Sequence, residues 1–504
     1  MREEERKYSA ARTPAPAVLA GLLTVLGALP GVRVEQLPPL VLCATYWDTP
    51  DLRLARAGVT VRHRTGEDGP PWQVKIPLDR DAREELAFAG GDDAPPPEAA
   101  VLVTAWARGA DLEPVAELTT HRSTFGLYPS DDAGPVPTLV EVVDDEVAVS
   151  SAGADSTFRE IEVERKDGER DLLDLVDAAL IAHGAVPGEL VPKLVRALGP
   201  RLPEPPAAAQ LTPSSPAADV LTAALRRTVA RLQRHDPLVR RRAEDAVHQM
   251  RVCCRRLRSD LRTFRSMLDE EWTRGLREEL TWLAARLGAV RDSEVLRARL
   301  RRTALAEPLA PLPTDPIDRV DADLATRDMA AWDALDAALI SERYLTLLDG
   351  LVDAAARPRL RPEATGSAEE VLTPLIAKEW THLRKRAVRL AADDPVDVWH
   401  QARIYAKRAR YAAEAAAPAL GGDAERLGKG IAAVQDVLGE HQDAAVAVEV
   451  WHQVTERHPD DPGLVLVCGR LMEREWNAVR GARADFPATW RKAAAAKRVK
   501  WLTT

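Results

Sequence analysis

The chain writes one basic helical ridge twice. Residues 247–258 read VHQMRVCCRRLR and residues 399–410 read WHQARIYAKRAR. His248, Arg251, Arg255 and Arg258 recur as His400, Arg403, Lys407 and Arg410, spaced i, i+3, i+7 and i+10 both times. That spacing lines side chains along one face of a helix. VLTAALRR at 220–227 answers VLTPLIAK at 371–378, and LGAVRD at 287–292 answers LGEHQD at 438–443. Three blocks that keep an offset of 151–152 residues in the same order mark a duplicated helical unit.

The ridge has chemistry as well as period. In the first copy it continues through Arg262 and Arg265, with Met250, Cys254, Leu257, Leu261, Phe264 and Leu268 as an apolar stripe one residue behind it. The cations therefore stand near the edge of a core, not on a fully solvated back face. Like charges three and four residues apart repel on an isolated helix. A bound polyanion relieves that repulsion, and the planar guanidinium fork suits oxyanions. His248 and His400 add a proton-dependent contact. Arg256 and Arg408 also match by position but point differently around the helix. The competing reading is a set of surface arginines paired with acids from neighbouring helices. Nucleic acid is a poorer polyanion here: there is no zinc finger, RNA-binding aromatic signature or basic arm, and few aromatics interleave with the arginines.

Charge separates the chain into two chemistries. Residues 1–200 carry 20 Lys/Arg against 34 Asp/Glu, leaving 49 against 44 in the remainder. With 504 residues, more than one domain is expected. Cys43, Cys253, Cys254 and Cys468 show neither a disulfide framework nor metal-ligand spacing, which fits a reducing compartment. The apolar run Val18–Leu29 is too short to span a bilayer and reads as a buried helix.

Residues 1–200 alternate apolar and polar residues at Val59–Arg64, Trp72–Ile76, Thr138–Val143 and Phe158–Arg165, the period of strands with unlike faces. Asp171–His183 reads as a helix closed by Gly184. Residues 201–217 form a Pro/Ala-rich linker, helices fill 218–504 with repeats at about 218–305 and 370–455, and Glu307–Pro316 breaks the helical region. In the first domain, each strand offers charge on one side only. Glu3, Glu5 and Lys7 share a face, as do Glu160, Glu162 and Glu164, Arg62 and Arg64, and Glu141 and Asp145. Lys75, Arg122 and Lys193 add cations. Several such strands suggest a barrel with a charged lumen; the plainer alternative is a sheet with a salted outer face.

These motifs carry two resemblances. ExExK at 3–7, TYWDTPDLRL at 45–54, VRHR at 61–64, QVKIP, EIEVE at 160–164 and PKLVRAL at 192–198 together resemble a CYTH domain, the triphosphate tunnel metalloenzyme fold. The paired His–x–x–Arg–x–x–x–Arg/Lys helices and their duplication resemble a CHAD domain, the conserved-histidine alpha-helical domain. The fold so implied is α+β at the N-terminus, an eight-stranded antiparallel β tunnel, followed by an all-α domain of two pseudo-symmetric helical bundles. The implied activity is hydrolysis of inorganic triphosphate or short polyphosphate with Mg2+ or Mn2+; the alternatives are a non-catalytic polyphosphate-binding or targeting protein, or the thiamine triphosphatase or adenylyl cyclase chemistry of some tunnel enzymes. The resemblance assigns Glu3, Glu5, Glu160, Glu162 and Glu164 to the metal, and Lys7, Arg62, Arg64, Lys75, Arg122 and Lys193 to triphosphate. Glu141 and Asp145 become tunnel acids. Polyphosphate falls to His248, Arg251, Arg255, Arg258, His400, Arg403, Lys407 and Arg410. A cytoplasmic protein associated with polyphosphate granules is expected, without a specific nucleic-acid or membrane partner.

Overall fold

Alternating side chains close the first 200 residues into a barrel. The computed structural model describes residues 2–9, 15–77, 82–130, 137–150, 155–188, 191–202, 210–306 and 311–503, with the side chains of 2–5, 9, 15–20, 82 and 503 outside that description. The strands are β1 (Arg2–Ser9), β2 (Val32–Gln36), β3 (Leu40–Asp48), β4 (Thr60–Thr65), β5 (Trp72–Pro77), β6 (Ala82–Phe88), β7 (Glu113–Pro129), β8 (Val140–Ser150), β9 (Ser156–Arg165) and β10 (Val186–Pro187). Neighbours run β1-β6-β5-β4-β3-β7-β8-β9, all antiparallel, and β9 pairs back onto β1. Eight strands thus form a closed ring, which removes sheet edges. β2 adds to β7 and β10 to β1.

Period two then sorts each strand into an outer and an inner face. On β9, Ile161 and Val163 point outward and pack with Phe125, Leu127, Val140 and Val142 against α1 (Ala15–Gly27) and α2 (Arg170–Ala182), which contribute Leu22, Leu26, Leu173, Val176 and Leu180. The apolar run at Val18–Leu29 is therefore a covering helix. A second outer cluster gathers Trp47, Val61, Trp72, Val74 and Ile76 under Val103 and Trp106. The lumen itself changes character along its length. Ala44, Tyr46, Leu118, Val147 and Val149 make an apolar plug with Leu194 and Leu198 of α3 (Lys193–Leu198). The charged residues occupy the remainder.

The helical unit comprises α4 (Ala217–Arg240), α5 (Ala246–Thr263), α6 (Glu270–Ala304), α7 (Thr314–Leu339), α8 (Glu342–Ala356), α9 (Ala368–Ala387), α10 (Val396–Leu420), α11 (Gly422–Arg457) and α12 (Pro462–Ala493). The expected proline-rich break is shorter than the sequence suggests, because α7 begins at Thr314 and takes Pro316 into its first turn, where a missing N–H costs nothing. Helices α4–α7 repeat as α9–α12, and α5 packs on α10 across the halves. Backbone hydrogen bonds fix the relation. The Ala217 N–H donates to the Gly366 carbonyl at 2.9 Å, and the Ala368 N–H donates to the Ser215 carbonyl at 2.7 Å. Each bond is the other's counterpart under the 151-residue offset, so the halves are related by a pseudo-two-fold axis. The predicted apolar stripe from Met250 to Leu268 is buried throughout. The chain divides into two compact units, Met1–Ala207 and Ala208–Thr504.

Candidate functional site

Two cavities collect the charge, one in each unit. In the barrel, Lys7 from β1, Arg62 and Arg64 from β4, Lys75 from β5, Arg122 from β7 and Lys193 from α3 line one cavity of about 250 Å3. Those six cations are the ones assigned from sequence to triphosphate. Glu141, Glu162 and Glu164 line it with them. The strand register explains the grouping: Lys7 pairs with Glu162, Glu160 with Asp145, and Asp145 with Arg122, all on the inner face.

Within the barrel the acids organise the cations. Asp145, wholly buried, accepts two bonds from Arg122, at 2.8 Å from Nε and 2.7 Å from Nη2, and lies 2.9 Å from Lys193 Nζ. Lys193 also reaches Glu160 at 2.9 Å and Glu162 at 2.8 Å, while Lys7 donates to Glu162. Burial opposes the charge on Glu162, but Lys193, Lys7 and Arg122 overcome it and hold the carboxyl well below its ordinary range. Burial likewise opposes the Lys193 ammonium, yet Glu162, Asp145 and Glu160 lift its pKa above the usual lysine value. Arg62 is aimed by Gln73 at 2.7 Å and the Tyr46 hydroxyl at 3.2 Å. Ion pairing thus holds Glu162, Lys193 and Arg122 in their charged forms.

Glu160 is set apart from the other acids. Glu160 is 1% exposed and does not line the cavity. It lies on the same inner face, where Lys193 and, at 2.7 Å, Arg196 hold it, so it orients those cations. The side chains of Glu3 and Glu5 lie outside the described residues. Their backbone register places Glu3 opposite Arg83 and Glu5 opposite Glu164, which in turn pairs with Glu141. Tyr46, Arg83, Glu85, Lys166 and Arg196 join the site or its support, although sequence reading assigned none of them a role. The Lys75–Glu85 pair, at 2.5 Å, was legible in principle from alternation on β5 and β6, had their register been known.

Among the described residues no group of three or more His, Cys, Asp or Glu side chains forms a ready metal cage. The donor set nevertheless suits a hard cation, which takes carboxylate oxygens. Lys166 Nζ already stands between Glu164 at 2.7 Å and Glu141 at 3.8 Å, which shows that these two oxygens stabilise positive charge between them.

In the helical unit, a cavity of about 640 Å3 opens where α5 and α10 meet α6 and α11. His248, Arg251, Arg255, His400, Arg403, Lys407 and Arg410 line it. Arg251 lies 3.5 Å from Asp292, and its counterpart Arg403 lies 3.5 Å from Asp443. Gly288 and Gly439, also counterparts, leave room for these guanidiniums against α6 and α11. His400 Nδ1 is bonded to Gln442 at 2.7 Å, where the other half sets Arg291 near His248. Burial and then Arg291 lower the His248 pKa. Lys407 is pushed down to about 7, first by burial and then by Arg403, Arg255 and Arg251.

The cavity lining departs from the ridge at two positions. Arg258 does not line this cavity and lies near Arg277 of α6. Arg256, read from sequence as pointing elsewhere, does line it, by crossing to Glu414 and Tyr411 of α10. Single-helix geometry cannot show that a neighbouring helix wraps around to meet a residue. Arg231, Arg291, Gln435 and Gln442 are further lining residues that ridge spacing does not reveal. The four cysteines are free, and no described helix is long and apolar enough to cross a membrane.

Comparison with known proteins matches a CYTH domain to residues 1–184 and a CHAD domain to residues 223–452. Uncharacterized proteins of Mycobacterium tuberculosis, MT2285 in strain CDC 1551 and Rv2226 in strain H37Rv, are each 33% identical over 518 aligned positions, covering 97% of this chain and 96% of theirs. Among solved structures, PptA from Streptomyces chartreusis is 24% identical over 55% of this chain and 100% of its own, with a TM-score of 0.47. The CHAD domain from the plant Ricinus communis is 26% identical over 60% of this chain and 96% of its own, with a TM-score of 0.41.

Proposed function

Because the chain belongs to the proteins that join a CYTH domain to a CHAD domain, we propose that it hydrolyses inorganic triphosphate or short polyphosphate in its barrel and binds longer polyphosphate in its helical unit. The observation that carries this reading is the convergence of Lys7, Arg62, Arg64, Lys75, Arg122 and Lys193 on one small cavity that also holds carboxylates. A site for an organic anion alone gains nothing from Glu162 and Glu164. A site for condensed phosphate with a divalent cation uses both signs.

The roles divide by chemistry. Arg62, Arg64 and Arg122 hold phosphoryl oxygens with planar forks, and Lys7, Lys75 and Lys193 act as point charges, all fixed before substrate arrives. Glu162 and Glu164, with Glu3 and Glu5 from β1 and Glu141 from β8, would hold Mg2+ or Mn2+. The bound ion supplies Lewis-acid polarisation and lowers the pKa of water. Asp145 and Glu160 keep Arg122, Lys193 and Arg196 in place. A cytoplasmic location, with attachment to polyphosphate granules through the helical cavity, follows from the same reading.

The test is phosphate release by purified protein from triphosphate, ATP and thiamine triphosphate, with Mg2+ or Mn2+ and with chelator. Turnover of triphosphate that disappears with chelator is expected, and Glu162→Gln should lower it by about a hundredfold or more. Metal-independent turnover, or none on any of the three, rejects the enzymatic reading.

A further inference from the structure

Pseudo-symmetry makes each half of the helical unit a control for the other. On one flank of the large cavity, Glu414 stands between two cations. Arg256 donates to one of its oxygens, and Arg410 Nε donates to the other at 2.6 Å. Buried Asp260 is a second carboxylate on that flank, facing Arg256 and Arg227. Under the 152-residue offset, Arg256 becomes Arg408, Arg410 becomes Arg258, Asp260 becomes Ala412 and Glu414 becomes Arg262. The same constellation is a cation, a carboxylate and a cation on one flank, and three guanidiniums on the other.

The second flank gathers still more charge. Arg277 of α6 faces Arg258 and Arg262, where the counterpart on α11 is Gly428. The carboxylates facing the cluster are Glu379, near Arg408, and Glu278, near Arg277. Among the described residues neither forms an ion pair with those arginines. Burial and neighbouring guanidiniums pull down the pKa values of Arg258, Arg277 and Arg408. Elsewhere the unit pairs its arginines closely: Arg297, for example, makes two bonds to Asp321. An unpaired cluster of like charge is costly unless a ligand brings the missing negative charge.

The cluster is also continuous with the cavity. Arg251, Arg255, Arg258 and Arg262 follow one another at i, i+4, i+7 and i+11 on α5. At about 1.5 Å of rise per residue, the ridge runs roughly 16 Å beyond Arg251. Tyr405, the aromatic among these residues, has Arg408 over its ring at 5.2 Å and Arg386 at 6.0 Å, so its face serves cations and is not offered to a base.

We infer that the helical unit holds condensed phosphate in one direction: a chain seated in the central cavity continues over Arg258, Arg262, Arg277 and Arg408, and Glu414 with Asp260 closes the opposite flank to it. The inference rests on the cavity being a polyphosphate site.

The test compares full-length wild type, Arg262→Glu and the double variant Arg262→Ala/Arg408→Ala in binding to long-chain polyphosphate and to a short oligophosphate that fits the cavity, across a salt series. R262E gives Arg258 and Arg408 the carboxylate partner that Glu414 provides on the other flank, so folding is retained. Both variants should bind the long chain about tenfold or more weakly, with a shallower salt dependence, and the short chain nearly as wild type does. Unchanged long-chain binding, or equal loss for both lengths, overturns the inference. Wild type that binds neither polymer overturns the polyphosphate reading itself. Loss of single-stranded RNA binding with polyphosphate binding intact would assign the flank to nucleic acid instead.

Discussion

At the level of single residues, burial decides which charges are fixed and which respond to pH. Asp145 and Arg122 form a bidentate pair on the inner face of the barrel, and Lys193 shares the buried carboxylate with Arg122. Lys407 is the opposite case. It faces Arg251, Arg255 and Arg403, is only partly offset by Asp443, and is held at about 7. A polyanion favours the ammonium and raises that value on binding. The lysine's contribution to affinity is therefore complete below pH 7 and fades as pH rises through the value it reaches in the complex. Polyphosphate affinity should fall between about pH 6 and pH 9 in wild type. Lys407→Arg should flatten that fall, because a guanidinium stays charged. Parallel profiles for the two proteins would remove Lys407 from the binding site.

At the level of elements, close approach between helices matters as much as the ridge. Gly288 of α6 lies where Arg251 of α5 passes over it, and an added Cβ would stand 3.3 Å from Arg251 Nε. Gly288→Ala improves helix propensity by about 1 kcal/mol. Thermal stability should hold or rise, while polyphosphate affinity falls by up to about tenfold, the effect of one displaced charged hydrogen bond. Calorimetry on one preparation reads both. Lower stability with unchanged affinity would show that the glycine serves packing alone. Sequence reading found these helices, with their apolar stripe and their charged ridge, because period and composition are local properties. It did not show which neighbours Arg256 and Arg258 would meet, because those depend on what α10 and α6 present to them.

At the scale of the whole molecule, each unit has its own core and its own cavity. Arg251→Glu combined with Arg403→Glu reverses charge at two counterpart positions of the helical cavity. Long-chain polyphosphate binding should weaken by about a hundredfold or more, with triphosphate turnover nearly unchanged. Equal loss of both would show that the two sites act as one.

The sequence alone determined the elements and the inventory of charge. Alternation on β4, β8 and β9 and the duplicated spacing on α5 and α10 are written into neighbouring residues, since backbone geometry sets periods of two and 3.6 without reference to anything distant. Tertiary structure decided which charges meet. Barrel closure through β1 and β9 put Lys7 on Glu162, α3 carried Lys193 and Arg196 to opposite sides of Glu160, and the pseudo-two-fold axis turned two ridges toward one cavity. Electrostatic energy depends on distance and burial, and both are set only once separate segments pack.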